Sequence, residues 1–361
     1  MRPTVLEISV ENFKHNIKQI QNAVGNNITL IPVIKSDAYG TYINQKIDLI
    51  RDFQIVSVAI PDEGAFLRNI GFSNSILVLN QPSSLEIDTI VNNNLSVGVA
   101  DLEFIKQLNS TAKINNKIIS VHLEIETGMN RTGFFIENLK KSIDEILSFS
   151  NINIEGLYSH LSSADENDSY TKFQIKNFIE AKNFLQTKID FKYIHISASN
   201  GILNYSNLPF NAVRPGIILY GYPPFDNACE KLNLKPIAKL KSKITFIKEL
   251  PAGEKIGYSG SFILEKPSKI ATIPIGYADG LDRSLSNNGN IIINNQLAPI
   301  IGKICMDSFM VDISSIQASV GDDVYIWDNS LQTLEDIAQK AGTINYEFLS
   351  RISKRVPRIF I

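Results

Sequence analysis

Apolar, β-branched runs recur through the first two thirds of the chain at 31–34, 55–60, 75–80, 95–100, 120–125, 154–160, 192–197 and 212–213. Between most of them the spacing turns helical. Val10, Phe13, Ile17, Ile20 and Val24 share one helical face behind a Ser9 cap. Asp62, Ser83 (with Glu86 at capping-box spacing) and Asp101 open further helices, and residues 137–149 and 169–186 carry two longer ones. Continuous apolar strands alternating with helices predict a parallel sheet covered on both faces. Eight such units in about 200 residues predict a (β/α)8 barrel of the TIM type over residues 9–232. An open doubly wound sheet is the alternative, but no G-x-G-x-x-G follows the first strand.

From residue 233 the rhythm changes. Strands at 237–249, 268–275, 290–294, 298–304, 309–313 and 322–327 are separated by turn signals such as Asn287-Asn288-Gly289 rather than by long helices. One helix is expected over 331–341 and a last strand over 356–361. The fold class is therefore α/β, a barrel followed by a mostly-β C-terminal domain, 233–361, with the linker at Cys229–Asn233. The N-terminal strand within residues 1–8 is a candidate to join that second sheet.

Composition narrows the setting. A net charge of -2 gives no basic field for nucleic acid or an anionic membrane. Two cysteines make a disulfide framework unexpected and fit a reducing compartment. No apolar run reaches transmembrane length and the N-terminus has no signal-peptide core, so a cytoplasmic protein is expected. The histidines lack partner cysteines, and no metal site is expected.

In a barrel of this kind the chemistry sits at the carboxyl ends of the strands. Lys35 ends the first run, Glu124 and Glu126 the fifth with Arg131 in the loop beyond, and His160 the sixth. Ser199, Asn200 and Gly201 follow the seventh, and Arg214, Gly216 and Ile217 the eighth. Taken alone, Lys35 reads as a snorkelling strand-end lysine or as a Schiff-base lysine at a barrel mouth. The loops after strands seven and eight are the usual barrel phosphate site, where backbone N–H groups hold a dianion. A phosphate cup facing a first-strand lysine is what pyridoxal 5'-phosphate requires.

Several stretches carry a family likeness. VIKSDAYG, HLEIETGMNRTG, GLYSHLSSAD, VRPGIILYG, GYSGSF, IPIGYADG, GKICMDSFMVD and the terminal RVPRIF resemble, in order, the motifs of the alanine racemases, fold-type III pyridoxal-phosphate enzymes. The resemblance implies a homodimer whose sites are completed by the partner subunit. Lys35 then binds the cofactor covalently and serves as one acid/base, and Tyr258 from the other subunit serves the opposite face. Tyr39, Ser199, Gly216 and Ile217 would hold phosphate, Arg214 would face the pyridine nitrogen, and His160 would pack by the ring. Arg131 would meet the substrate carboxylate, as would the backbone N–H of Met306 from the partner subunit. Racemisation calls for two such groups, since a proton leaves one face of Cα and returns on the other.

Some positions depart from the family pattern. Glu124 stands where many members have a carbamylated lysine, and is expected to pair with Arg131. Lys354 replaces a common tyrosine, Leu281 a common aromatic, and Thr41-Tyr42 the usual histidine region after Tyr39-Gly40. The function implied is interconversion of L- and D-alanine, supplying D-alanine for peptidoglycan. The alternatives are a racemase of other specificity, such as serine, and a pyridoxal-phosphate homeostasis protein, which would lack residues 235–361 with Tyr258 and Met306.

Overall fold

The computed structural model describes residues 2–166, 168–205, 208–224 and 230–361. Cys229 of the expected linker lies outside the described residues. The chain divides into two units: residues Lys14–Ala38 with Ile43–Leu234, and residues up to Phe13 with Tyr39–Tyr42 and Lys235–Ile361. The first strand, β1 (Val5–Ile8), belongs to the second of these.

The first unit is the barrel. Strands β2 (Thr29–Leu30), β3 (Ile55–Val58), β4 (Ser75–Val78), β5 (Ser96–Val99), β6 (Ile119–Glu124), β7 (Ile152–Tyr158), β8 (Tyr193–His195) and β9 (Ala212–Val213) all run parallel to their neighbours. β3 to β8 form one curved six-stranded sheet, and β2 pairs with β9. Two parallel bridges, Val33 to Ser57 and Ala198 to Arg214, join these pieces and close the ring. The alternation with helices was compatible with an open sheet; the two bridges select the barrel.

The first strand is shifted from the expected 31–34. Regular pairing is confined to Thr29–Leu30, because Pro215 on the facing strand has no N–H to continue the ladder. Contact continues in single bonds, Ile31 N–H to Val213 O (2.8 Å) and Val33 N–H to Pro215 O (2.9 Å). Pro32 O accepts from Ser57 N (2.8 Å), which ties β2 to β3 on the other side. Strands β3 and β5 are buried at every position, the mark of a parallel sheet covered on both faces. Inside, Ile31, Ile55, Leu77, Tyr193 and Ala212 from five strands pack into one cluster. Outside, helix Leu102–Ile114 turns Phe104, Ile105, Leu108 and Ala112 inward, and its Asp101 cap accepts from Phe104 N at 2.7 Å.

The second unit is built on a nine-stranded sheet. After β10 (Ala238–Lys243) and β11 (Phe246–Leu250) come a short hairpin, β12 (Lys255–Ile256) and β13 (Phe262–Ile263), then β14 (Ser268–Ile273), β15 (Asn290–Ile293), β16 (Gln296–Ile301), β17 (Phe309–Asp312), β18 (Asp323–Trp327) and β19 (Arg358–Phe360). The order in the sheet is β11-β14-β17-β16-β15-β18-β10-β1-β19. The single strand expected over 237–249 is two, since the chain changes neighbours at Ile244–Thr245: β10 pairs with β1 and β18, β11 with β14. The expected 331–341 helix starts at Leu334, because Thr333 caps it with Asp336 closing a capping box. No helix among the described residues is long and apolar enough to cross a membrane.

Before β1, the chain is anchored by charge. Arg2 grips the fully buried Asp279 with both guanidinium ends, at 2.5 and 2.6 Å, and Asp279 also accepts from Gly276 N at 2.9 Å. The turn so held carries Tyr277 and Ala278, whose N–H groups bond to Cys305 O and Met306 O. Removing one partner of a buried pair leaves the other charge uncompensated, a loss of about 3–5 kcal/mol. The R2A variant should fall at the low end, about 3 kcal/mol, because Arg355 Nε still lies 3.6 Å from Asp279. Urea unfolding of R2A against wild type measures this, and an unchanged midpoint would show that the pair contributes nothing.

Candidate active site

Lys35 leaves the end of the first barrel strand, half-buried, and opens a turn of unusual hand. Ser36, Asp37, Ala38 and Tyr39 all take left-handed backbone angles, with φ between 52° and 55°. For residues with a Cβ this costs roughly 1–2 kcal/mol each. The turn is clamped by Glu63, whose carboxylate accepts from Ser36 N (2.6 Å) and from Ala59 N (2.7 Å) at the end of β3.

Arg214 follows β9 and is buried although charged. It donates to Ser159 O (2.7 Å), His195 O (3.1 Å) and Ile196 O (3.3 Å), to His160 Nδ1 (3.3 Å), and to His195 Nδ1. These acceptors come from the carboxyl ends of β7 and β8, which is why the closed ring is needed to hold it. Among the described residues Arg214 makes no ion pair. Its cation lies 5.4 Å from the centre of the Tyr158 ring.

Ser199 opens the short helix Ser199–Asn204, and its Oγ accepts from Gly216 N at 3.1 Å. Ile217 opens a second short turn, Ile217–Tyr220. First-turn N–H groups of both lack intrahelical acceptors, and the Ala198–Arg214 bridge sets the two segments side by side. Arg131 sits on an exposed loop and makes no ion pair among the described residues. That loop is folded by Glu126, which accepts from Gly128 N and from Asn130 N (2.8 Å).

The barrel unit thus brings together Lys35, Arg131, His160, Ser199, Arg214, Gly216 and Ile217. Tyr39, Tyr258 and Met306 belong to the β unit. There the Tyr39 ring lies 6.2 Å from that of Tyr346, while Tyr258 and Met306 are 68% and 52% exposed. Lys354 is exposed. Glu124 does not pair with Arg131: it is buried on β6, where its Oε2 takes a hydrogen bond from Tyr158 Oη at 3.1 Å. Tyr158 Oη also reaches Leu79 O at 2.6 Å. Glu126 is one of the strand-end residues named from sequence, whereas Glu63, Tyr158 and His195 are not among the site residues expected there. Only Glu63 had a readable signal, as the third residue of a helix that opens with proline.

The electrostatics follow from burial among cations. Desolvation lowers the proton affinity of Lys35, Arg131 and Arg214 lower it further, and Glu63 opposes them. Burial takes His160 to about 3, with Arg214, Arg131 and Lys35 adding. Burial likewise takes His122 to about 3 and His195 well below its ordinary value. Arg214 is pushed down to about 10 by burial, so it stays charged at neutral pH. Burial raises Glu124, against hydrogen bonds from Thr132 and Tyr158 and the fields of both arginines.

A barrel with a lysine, two arginines and paired helix starts on one rim, continuing into a mostly-β unit, defines a two-domain barrel enzyme. The family profile described as "Alanine racemase, N-terminal domain" matches residues 8–224, and "Alanine racemase, C-terminal domain" matches residues 237–360. An alanine racemase of Clostridium tetani is 40% identical, over 100% of this chain and 96% of its own length. One of Methanococcus maripaludis is 37% identical over 99% of each. Among solved structures, alanine racemase of Clostridium difficile 630 superposes with a TM-score of 0.95 at 35% identity, covering 100% of this chain and 96% of that one. The chain belongs to the alanine racemase family, a family of pyridoxal-phosphate-dependent isomerases.

Three histidines of lowered proton affinity, His122, His160 and His195, have a consequence for stability. An unfolded chain binds protons at these positions as pH falls through about 6.5, whereas the folded chain does not until far lower. Below about 6.5 the unfolded state holds more protons, so unfolding free energy falls with pH by up to about 1.4 kcal/mol per unit for each histidine. A urea series from pH 7.5 to 5 should show H160N with a shallower decline than wild type. Parallel slopes would mean that His160 takes up its proton in the folded state.

Proposed function

We propose that the protein interconverts L- and D-alanine with pyridoxal 5'-phosphate, supplying D-alanine for peptidoglycan. One observation carries the reading: a lysine of lowered proton affinity shares a barrel rim with a buried, unpaired guanidinium and two helix starts. The donor set suits the cofactor. An amine stands for its aldehyde, a permanent donor for its ring nitrogen, and N–H groups with a serine hydroxyl for its phosphate.

When bound, the cofactor spreads the negative charge that develops at the amino acid's Cα. Lys35 holds or takes the Cα proton on one face, where desolvation lowers the proton affinity of its amine. Arg214 donates to the ring nitrogen without protonating it. Ser199, Gly216, Ile217 and Tyr39 anchor the phosphate, and His160 packs by the ring. Arg131 and, from a second copy of the chain, the Met306 N–H orient the substrate carboxylate.

The opposite face needs a second acid/base, and Tyr258 fills the role from a second copy of the chain. The β unit supports this assignment. Tyr258 and Met306 line an open cleft of about 530 Å³ with Lys248, Lys255 and Asp307, whereas Lys35, Ser199 and Arg214 belong to the barrel unit. The functional division falls near residue 233, with the barrel over 9–232 and the β-domain over 233–361, which the N-terminal strand joins.

Purified protein with the cofactor and L-alanine in deuterium oxide should lose optical rotation and gain deuterium at Cα, far faster than with L-serine. In Y258F, exchange at Cα should outlast the loss of rotation. Mixing K35A with Y258F should restore about a quarter of wild-type activity if two copies share each site. An inactive mixture of two folded variants would rule out sharing, and serine outrunning alanine would move the substrate assignment.

A further inference from the structure

Arg214 stands at one end of a buried hydrogen-bond chain that the reaction does not itself require. Arginine only donates, so its bond to His195 Nδ1 leaves that nitrogen bare and puts the His195 proton on Nε2. His195 Nε2 lies 3.0 Å from His122 Nδ1, both fully buried. The proton between them belongs to His195, so His122 Nδ1 accepts and the His122 proton sits on Nε2. That nitrogen is buried and has no partner. The chain thus has one direction, Arg214 to His195 to His122, and ends on an orphaned N–H.

The surrounding strands are cut away to admit it. His122 stands in register with Gly98 on β5 and Gly156 on β7. A Cβ on Gly156 would lie 2.2 Å from His122 Nδ1, and one on Gly98 would lie 2.2 Å from Tyr158 Oη. The rings of His122 and Tyr158 each lie 5.2 Å from that of His195. The His122 N–H is left unpaired so that the His195 N–H need not be; an apolar residue at 122 would move the orphan onto His195, beside Arg214.

We propose that His122 is a positioning residue: by accepting from His195 it holds that ring in the one tautomer whose Nδ1 can receive Arg214, and so aims the guanidinium. With the proton on Nδ1 instead, His195 would confront Arg214 donor to donor, and the arginine would have to turn away. This rests on the reading that Arg214 meets the cofactor ring, but the tautomer itself does not.

The test has two arms on the full-length protein. The chain has four histidines, so long-range proton–nitrogen NMR with 15N-histidine, assigned by single variants, reads each tautomer. His195 is expected to carry its proton on Nε2 in wild type and in H122N, whose amide oxygen replaces the acceptor, and to lose that preference in H122L. In the holoenzyme, kcat for alanine should drop roughly 10- to 100-fold in H122L with KM little changed, and recover to within about threefold of wild type in H122N, by analogy with outer-shell partners elsewhere. A His195 proton on Nδ1 in wild type overturns the proposal, as do equal losses, or none, in the two variants. If wild type does not racemise alanine at all, the function reading falls while the NMR arm still decides this one.

Discussion

A guanidinium with almost no access to water sits at the heart of the barrel. Removing such a charge from solvent costs several kcal/mol unless its donors are met. Arg214 meets that demand with carbonyl oxygens at the ends of β7 and β8 and with imidazole nitrogens, while its own backbone N–H bonds to Ser197 O. Those acceptors converge only when β9 lies beside β8, as a closed ring requires. Ring closure and the chemistry of the rim are thus one constraint, and the neutrality of His160 and His195 follows from it, since a cation beside Arg214 would undo the arrangement.

Beside it on the rim, where β2 neighbours β9, the same principle applies to Lys35. Its turn is held in a left-handed run by the Glu63 carboxylate, which bridges two backbone N–H groups from adjacent strand ends. The same carboxylate is the one that raises the lysine's proton affinity against two arginines. Geometry and proton affinity are therefore coupled at a single residue, which makes the rim rigid and electrostatically balanced at once.

Much of this was legible in residue pattern. Uninterrupted β-branched runs separated by amphipathic segments identify parallel strands covered on both faces, and polar residues at their ends point to the rim. Other parts depend on partners far away in the chain. Pro215 shortens the first strand's ladder only because the N–H it lacks would have faced that strand, far away in sequence. The 237–249 run splits at Ile244 because β10 and β11 find different partners, which no local period encodes. Glu124 and Arg131 are seven residues apart and opposite in charge, yet one is deep on a strand and the other on an exposed loop. The histidine chain runs from Arg214 after β9 to His195 on β8 and His122 on β6, so it has no local signature at all.

The nine-stranded sheet has an awkward order of assembly. β1 lies between β10 and β19, pairing Leu6 with Arg358 on one side and with Leu240 on the other. On the ribosome the strand made first must wait for the whole barrel, and then for the last strand, before both of its edges are covered. Until then Leu6 and Ile8, fully buried at the end, are exposed to water beside unpaired backbone, the state in which strands find the wrong partners. Such distant pairing also slows folding, since the loop must close before any contact rewards it. The β unit is thus the late and vulnerable part of the molecule during synthesis, and the barrel, contiguous from Ile43 to Leu234, is the part able to fold while the chain is still being made.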